Sequence, residues 1–175
     1  MLKFTNKILI YFILFIFCSA HSPWSSYLNY RTKHLLIMSV KTDAPTYPFS
    51  ELLIKYINKE LPEAQSKPAR AKDFERVQSL FSTNQMPLVL LSKQNAKDLI
   101  NGEGEFKEFG STDANVLYGF GDLILLIQPS LPKRHAWLLL NALKKSKSVF
   151  KDGISPDKLA DIGEAHPGAI MALNG

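Results

Sequence analysis

Apolar positions along the chain fall into two alternating spacings, short continuous runs and stripes that recur every three or four residues. Leu35 to Val40 is a compact apolar run of the kind found in a sheet covered on both faces. Phe49, Leu52, Leu53, Tyr56, Ile57 and Leu61 then fall on one helix face, with Pro48 in the first turn and Pro62 at the end. The alternation continues with Lys67 to Lys72 as a weak, edge-like strand and a helix through Phe74, Val77, Leu80 and Phe81. Leu88 to Leu91 reads as another buried strand, followed by a short helix from Gln94 to Ile100 that stops at Asn101 and Gly102. A glycine-containing polar stretch runs to Ala114, before the apolar strand Leu123 to Ile127. Pro132 opens what reads as the longest helix. His135, Trp137, Leu138, Leu139, Leu140, Ala142 and Leu143 make it apolar over most of its surface, which predicts packing between neighbours. Ser155 and Pro156 read as a further helix start, and Pro167 as the start of a final turn or helix.

Strands alternating with helices predict an α/β fold: a mixed, mostly parallel sheet with helices on both faces. Ligands of such sheets sit beyond the carboxyl ends of the strands, on the loops that lead into helices. The loops in question are Thr42 to Pro48, the segment around Lys72, and Ser92 to Asn95.

Ahead of this pattern, Lys3 and Lys7 precede an uncharged run from Ile8 to Phe17 and the small residues Ser19 and Ala20. That order predicts a secretory signal peptide over residues 1–20 and a periplasmic or other extracytoplasmic destination. Ten apolar residues are too few for a helix that spans a bilayer, which needs about 20. Residues 21–33 read as an extended arm, and 34–175 as one α/β domain. Cys18 is the only cysteine. Its position invites lipidation, but the bulky Phe17 before it does not suit an acylation site. Cleavage after Ala20 would leave a chain without thiol chemistry.

Composition narrows the function classes. The chain carries 21 Lys and Arg against 16 Asp and Glu, a net charge of +5. The basic residues of the domain are interspersed with acidic ones, as in Lys55, Lys59, Glu60 and Glu63, so nucleic acid is not an expected partner. His21, His34, His135 and His166 show no metal-ligand spacing, and neither a metal nor a cofactor is expected. There is no phosphate-binding glycine loop and no serine nucleophile motif. Asp43 stands just past a buried strand, where a carboxylate serves either as a general base or as a turn residue. With no histidine or second carboxylate in its segment, the turn is the simpler reading, and catalysis is not expected. The hydroxyl- and amide-rich loops holding Thr42, Thr46, Tyr47, Ser92, Gln94 and Asn95 suit a small polar or anionic solute. The same residue types also serve as ordinary helix caps.

Four segments, Thr42 to Pro48, Pro87 to Phe106, Leu123 to Pro132 and His166 to Ala169, resemble the TAXI family of solute-binding proteins, which serve TRAP transporters. Thr42-Asp43-Ala44-Pro45-Thr46-Tyr47-Pro48 is similar to that family's Thr-Gly-Gly stretch closing in Tyr-Pro. Pro87 to Phe106 is similar to its strand, polar turn and helix ending in Asn-Gly-x-Gly-x-Phe. Leu123 to Ile127 with Ser130-Leu131-Pro132 resembles a late strand and Leu-Pro helix start, and His166-Pro167-Gly168-Ala169 the C-terminal signature. The resemblance implies one lobe of a type II periplasmic binding protein, with the second lobe missing between about Gly110 and Val116. It also implies that a small organic acid or amino acid is bound for transport, with TRAP membrane subunits as partners. Ligand contacts carried over are Thr42, Thr46, Tyr47 and Ser92, beside Asp43 and Gln94 in the same loops. Lys72 would hold a carboxylate, or else be a surface lysine. The His166 motif reads as structural, with Pro167 starting the last helix and Gly168 allowing close packing. The alternative function is a single-lobe protein-interaction module, for which a homodimer is one form.

Overall fold

The computed structural model describes residues 30, 33–44 and 46–175. The chain divides into two units, residues 1–33 and 34–175. The expected signal peptide, Cys18 and nearly all of the expected arm lie outside the described residues.

The second unit is an α/β fold built on a six-stranded mixed sheet of order β2-β1-β3-β5-β4-β6. The strands are β1 (Leu36–Val40), β2 (Lys67–Ala71), β3 (Leu88–Ser92), β4 (Asn115–Phe120), β5 (Leu123–Ile127) and β6 (Gly153–Ile154). β1 pairs in parallel with β2 and β3, while β5 runs antiparallel to both β3 and β4, and β6 antiparallel to β4. Every residue of β1 and β5 is buried, which is why these strands read as unbroken apolar runs. β2 is largely exposed, as its sequence KPARA requires of an edge strand.

Among the described residues, five helices cover the sheet: α1 (Thr46–Glu60), α2 (Phe74–Ser82), α3 (Lys93–Asn101), α4 (Lys133–Lys144) and α5 (Pro167–Asn174). Against one face, Leu53, Ile54 and Ile57 of α1 join Leu139, Leu140 and Leu143 of α4 and Ala169 and Ala172 of α5. Val77, Leu80 and Phe81 of α2 and Ala96 and Leu99 of α3 cover the other. Phe49, Phe120 and Phe150 close the first core in a ring of two tilted pairs and one edge-on pair, with centroids 5.0 to 5.3 Å apart.

Four expectations change. The helix opened by Pro132, expected to be the longest, has 12 residues against 15 in α1. β4 is not among the expected strands. It pairs with β5 across Gly121 and Asp122, a two-residue hairpin in which Gly121 takes φ +59°. That hairpin supplies the antiparallel half of the sheet, and residues 107–114 lead directly into it. The expected helix at Ser155 is a single 3-10 turn, Pro156–Lys158. Finally, α4 is not apolar all round. Its buried side is Ala136, Leu139, Leu140, Ala142 and Leu143, whereas Lys133, Arg134, His135 and Trp137 are exposed.

The His166 motif fastens α5 to α4. His166 Nδ1 accepts a 3.1 Å hydrogen bond from the Gly168 N–H and caps the helix. Gly168 lies so close to α4 that a Cβ would collide with the Lys133 carbonyl and press on Ala136. At the other end, Lys144 Nζ donates a 2.8 Å hydrogen bond to the Ala172 carbonyl. The two contacts make α4 and α5 run side by side in the same direction.

Candidate functional site

Parallel β1, β2 and β3 end on one edge of the sheet, and the β4–β5 turn reaches the same edge because β5 begins opposite Ser92. Most of the expected ligand residues stand here, and internal bonds sort them into separate roles.

Asp43 is buried, and its Oδ2 accepts a 2.7 Å hydrogen bond from the Ser92 backbone N–H. Thr46 is fully buried. Its hydroxyl lies 2.6 Å from the Asp43 carbonyl and 3.2 Å from the Val40 carbonyl, both of which it can serve as donor. These two side chains fold the loop after β1 and tie it to the end of β3, so their polar atoms face protein. Thr42 is exposed on the same loop. Tyr47 is half-buried beneath the Arg70 guanidinium, 4.5 Å from its ring centroid, a cation–π contact that occupies the ring face. Lys72 is exposed and lies 3.2 Å from the Asp73 carboxylate. Asp73 caps α2 through the Arg76 N–H, and that hydrogen bond, aided by Lys72, holds its carboxyl below the ordinary carboxylate range.

Ser92 and Gln94 do come together, in an open groove of 410 Å³ at the N-terminus of α3. Lys93, Lys97, Asp122, Asp161 and Ile162 complete its lining. Ser92 occupies the N-cap position of α3, but its side chain makes no capping bond. Gln94 donates a 2.7 Å hydrogen bond to Asp98 one turn along. Lys93 is anchored at both ends, its N–H bonded to the Asp122 carbonyl at 2.7 Å and its Nζ 3.2 Å from Asp161. The groove therefore offers positive charge from Lys93, Lys97 and the helix N-terminus, and negative charge from Asp122 and Asp161.

Thr42, Asp43, Thr46, Tyr47 and Lys72 are not part of this lining. The groove residues that the sequence pattern misses have separate causes. Lys93 and Lys97 stand one helical turn apart on α3, a spacing open to inspection once Ser92 is taken as the cap. Asp122 depends on the β4–β5 hairpin, and Asp161 arrives from a tail segment with no local signal.

A second concavity of 530 Å³ adjoins the first through Asp161 and Ile162, with Asn101, Asp113, Asn115 and Glu164 among its walls. Among the described residues, no group of three His, Cys, Asp or Glu side chains is placed to hold a metal ion.

No protein-family model matches this chain, and a search of curated proteins finds no match.

Proposed function

We propose that the chain is an extracytoplasmic solute-binding protein similar to the TAXI family, which takes up a small amino acid for a TRAP-type transporter without chemistry on it. The observation that carries this reading is the paired charge of the 410 Å³ groove. Lys97, Lys93 and the α3 N-terminus attract a carboxylate, and Asp122 and Asp161 attract an ammonium group. A zwitterion satisfies both sides, whereas a dicarboxylate leaves the two aspartates facing like charge. That preference selects the amino acid from the two solute classes implied by the resemblance. Export rests on the pattern of residues 1–20.

A second reading has one observation in its favour. Residues 107–114 join the 3-10 turn after α3 to β4 with no inserted lobe, so no second jaw faces the groove among the described residues. An interaction module would complete the cleft with another protein or a second copy.

The test is a thermal-shift screen with amino acids, dicarboxylates and alkylamines, read beside light scattering. A ligand at 100 times its Kd adds about 2.7 kcal/mol, a shift of several degrees for a domain of this size. An amino acid should raise Tm, and Lys97→Ala or Asp122→Asn should abolish the effect while leaving the ligand-free Tm within about a degree. No shift for any compound, together with a stable dimer, would replace the solute receptor with the interaction module.

A further inference from the structure

Charge is segregated over one stretch of the fold. From Leu123 to Lys151 the chain carries six basic residues, Lys133, Arg134, Lys144, Lys145, Lys147 and Lys151, and no Asp or Glu. All six side chains are exposed. They flank large apolar side chains that are also exposed: Trp137 at 38%, Val149 at 59%, Ile170 at 46% and Met171 at 53%. Trp137 lies on α4 and Ile170 and Met171 on α5, all between the two anchors that join these helices, Gly168 on Lys133 and Lys144 on Ala172. Asp152 borders the stretch, and α1, which packs against α4, brings Glu51 and Glu60 with Lys55 and Lys59 in balance.

We infer that the outer face of α4 and α5 is a docking surface for an anionic phospholipid membrane. Exposed basic side chains interspersed with exposed Trp and aliphatic groups are the chemistry of an interfacial helix face, with cations at the headgroups and apolar side chains just beneath them. A protein partner with apolar anchors would need a pocket to receive them. The two concavities described above lie elsewhere, against α3, the 111–115 segment and the 160–164 segment. Nucleic acid fits less well, because it makes no use of Ile170 and Met171. The inference is independent of the groove and stands whichever solute, if any, the groove takes.

The full-length chain with Trp24→Phe keeps Trp137 as its only tryptophan, so its emission reports this face and not the apolar N-terminal run. Vesicles of phosphatidylglycerol and phosphatidylcholine should shift that emission to the blue, and brominated acyl chains should quench it. Pure phosphatidylcholine should do neither. Each basic residue near an anionic leaflet adds roughly fivefold to partitioning, so Arg134→Glu, Lys145→Glu and Lys147→Glu together should weaken binding by roughly a hundredfold or more. Ile170→Ser with Met171→Ser, both at exposed positions, should remove the quenching while leaving the circular dichroism spectrum unchanged. Vesicle binding without any change in Trp137 emission would overturn the inference, since attachment would then lie elsewhere. Salt-sensitive binding to duplex DNA or to polyglutamate, with no response to vesicles, would overturn it in favour of a polyanion or an acidic protein.

Discussion

The Asp43 carboxylate and the Ser92 backbone N–H, 49 residues apart in sequence, meet at 2.7 Å. This bond places the loop after β1 over the end of β3 and leaves the Asp43 oxygen engaged with protein. Aspartate just past a buried strand looks like a candidate for chemistry, and here it is a staple between two loops. Removing the acceptor leaves a part-buried N–H unpaired, so Asp43→Ala should destabilise the fold by about 1–3 kcal/mol in urea unfolding. Asp43→Asn retains an acceptor oxygen and should cost less than about 1 kcal/mol. If the asparagine variant instead unfolds as easily as the alanine one, the negative charge and not the hydrogen bond holds the loop.

Gly168 sits under the Lys133 carbonyl, where any Cβ meets backbone that cannot rotate away. Gly168→Ala should therefore destabilise by about 1–3 kcal/mol despite the better helix propensity of alanine. Exposed Ile170, one turn away from nothing it must fit, should tolerate alanine within about 0.5 kcal/mol. Chemical denaturation of the two variants side by side gives the comparison.

Legibility followed burial and locality. Strands buried on both faces, β1, β3 and β5, announce themselves as apolar runs, and α1, α2 and α3 as helical segments bounded by Pro62 at the end of α1, by the Asp73 cap at the start of α2 and by Gly102 at the end of α3. β4 is harder to read because Gly119 interrupts its apolar run, at a point where a Cβ would meet Leu159 and Ile154. Its hairpin signal, Gly121-Asp122 between two strand-like runs, is nonetheless in the sequence. The exposed side of α4 is misread because Leu138 and Trp137 count as apolar by type while only Ala136, Leu139, Leu140, Ala142 and Leu143 reach the core. Of the candidate site, Ser92 and Gln94 follow from their place after a strand. Asp161 enters the groove through tertiary packing alone, which no local pattern encodes.

His166 gives the fold a pH dependence. Burial pushes its imidazole below the ordinary range, partly offset by the Pro129 and Leu131 carbonyls beside the ring, with Lys133 adding to the depression. Nε2 is buried without reaching hydrogen-bond geometry to a partner. The folded protein therefore holds the neutral ring, while the unfolded chain takes up a proton below about pH 6.5. Stability contributed by this residue is complete above that value and declines as pH falls through it. His166→Asn keeps an acceptor for the Gly168 N–H and removes the titration. The variant should lose less stability than wild type between about pH 7 and pH 5.5, read as the change in urea midpoint across that interval.

β2 is the longer of the two edge strands of the sheet, and Pro68 blunts it. Lys67 N–H donates to the Leu35 carbonyl, and the Ala71 carbonyl accepts from the Lys41 N–H, so positions 67, 69 and 71 face β1. Positions 68 and 70 face outward. A second strand arriving at this edge meets proline at one of the two outward positions, and only Arg70 offers an N–H. Both Lys67 and Arg70 add like-charge repulsion between copies. Pro68→Val restores the missing donor with a residue that favours strands. One additional hydrogen bond contributes about 1 kcal/mol, or roughly a fivefold gain in edge-to-edge association. Sedimentation velocity over a concentration series should show self-association of Pro68→Val beyond that of wild type. Identical profiles for the two proteins would mean that the exposed length of β2, five residues, is too short to template a partner strand even with the donor restored.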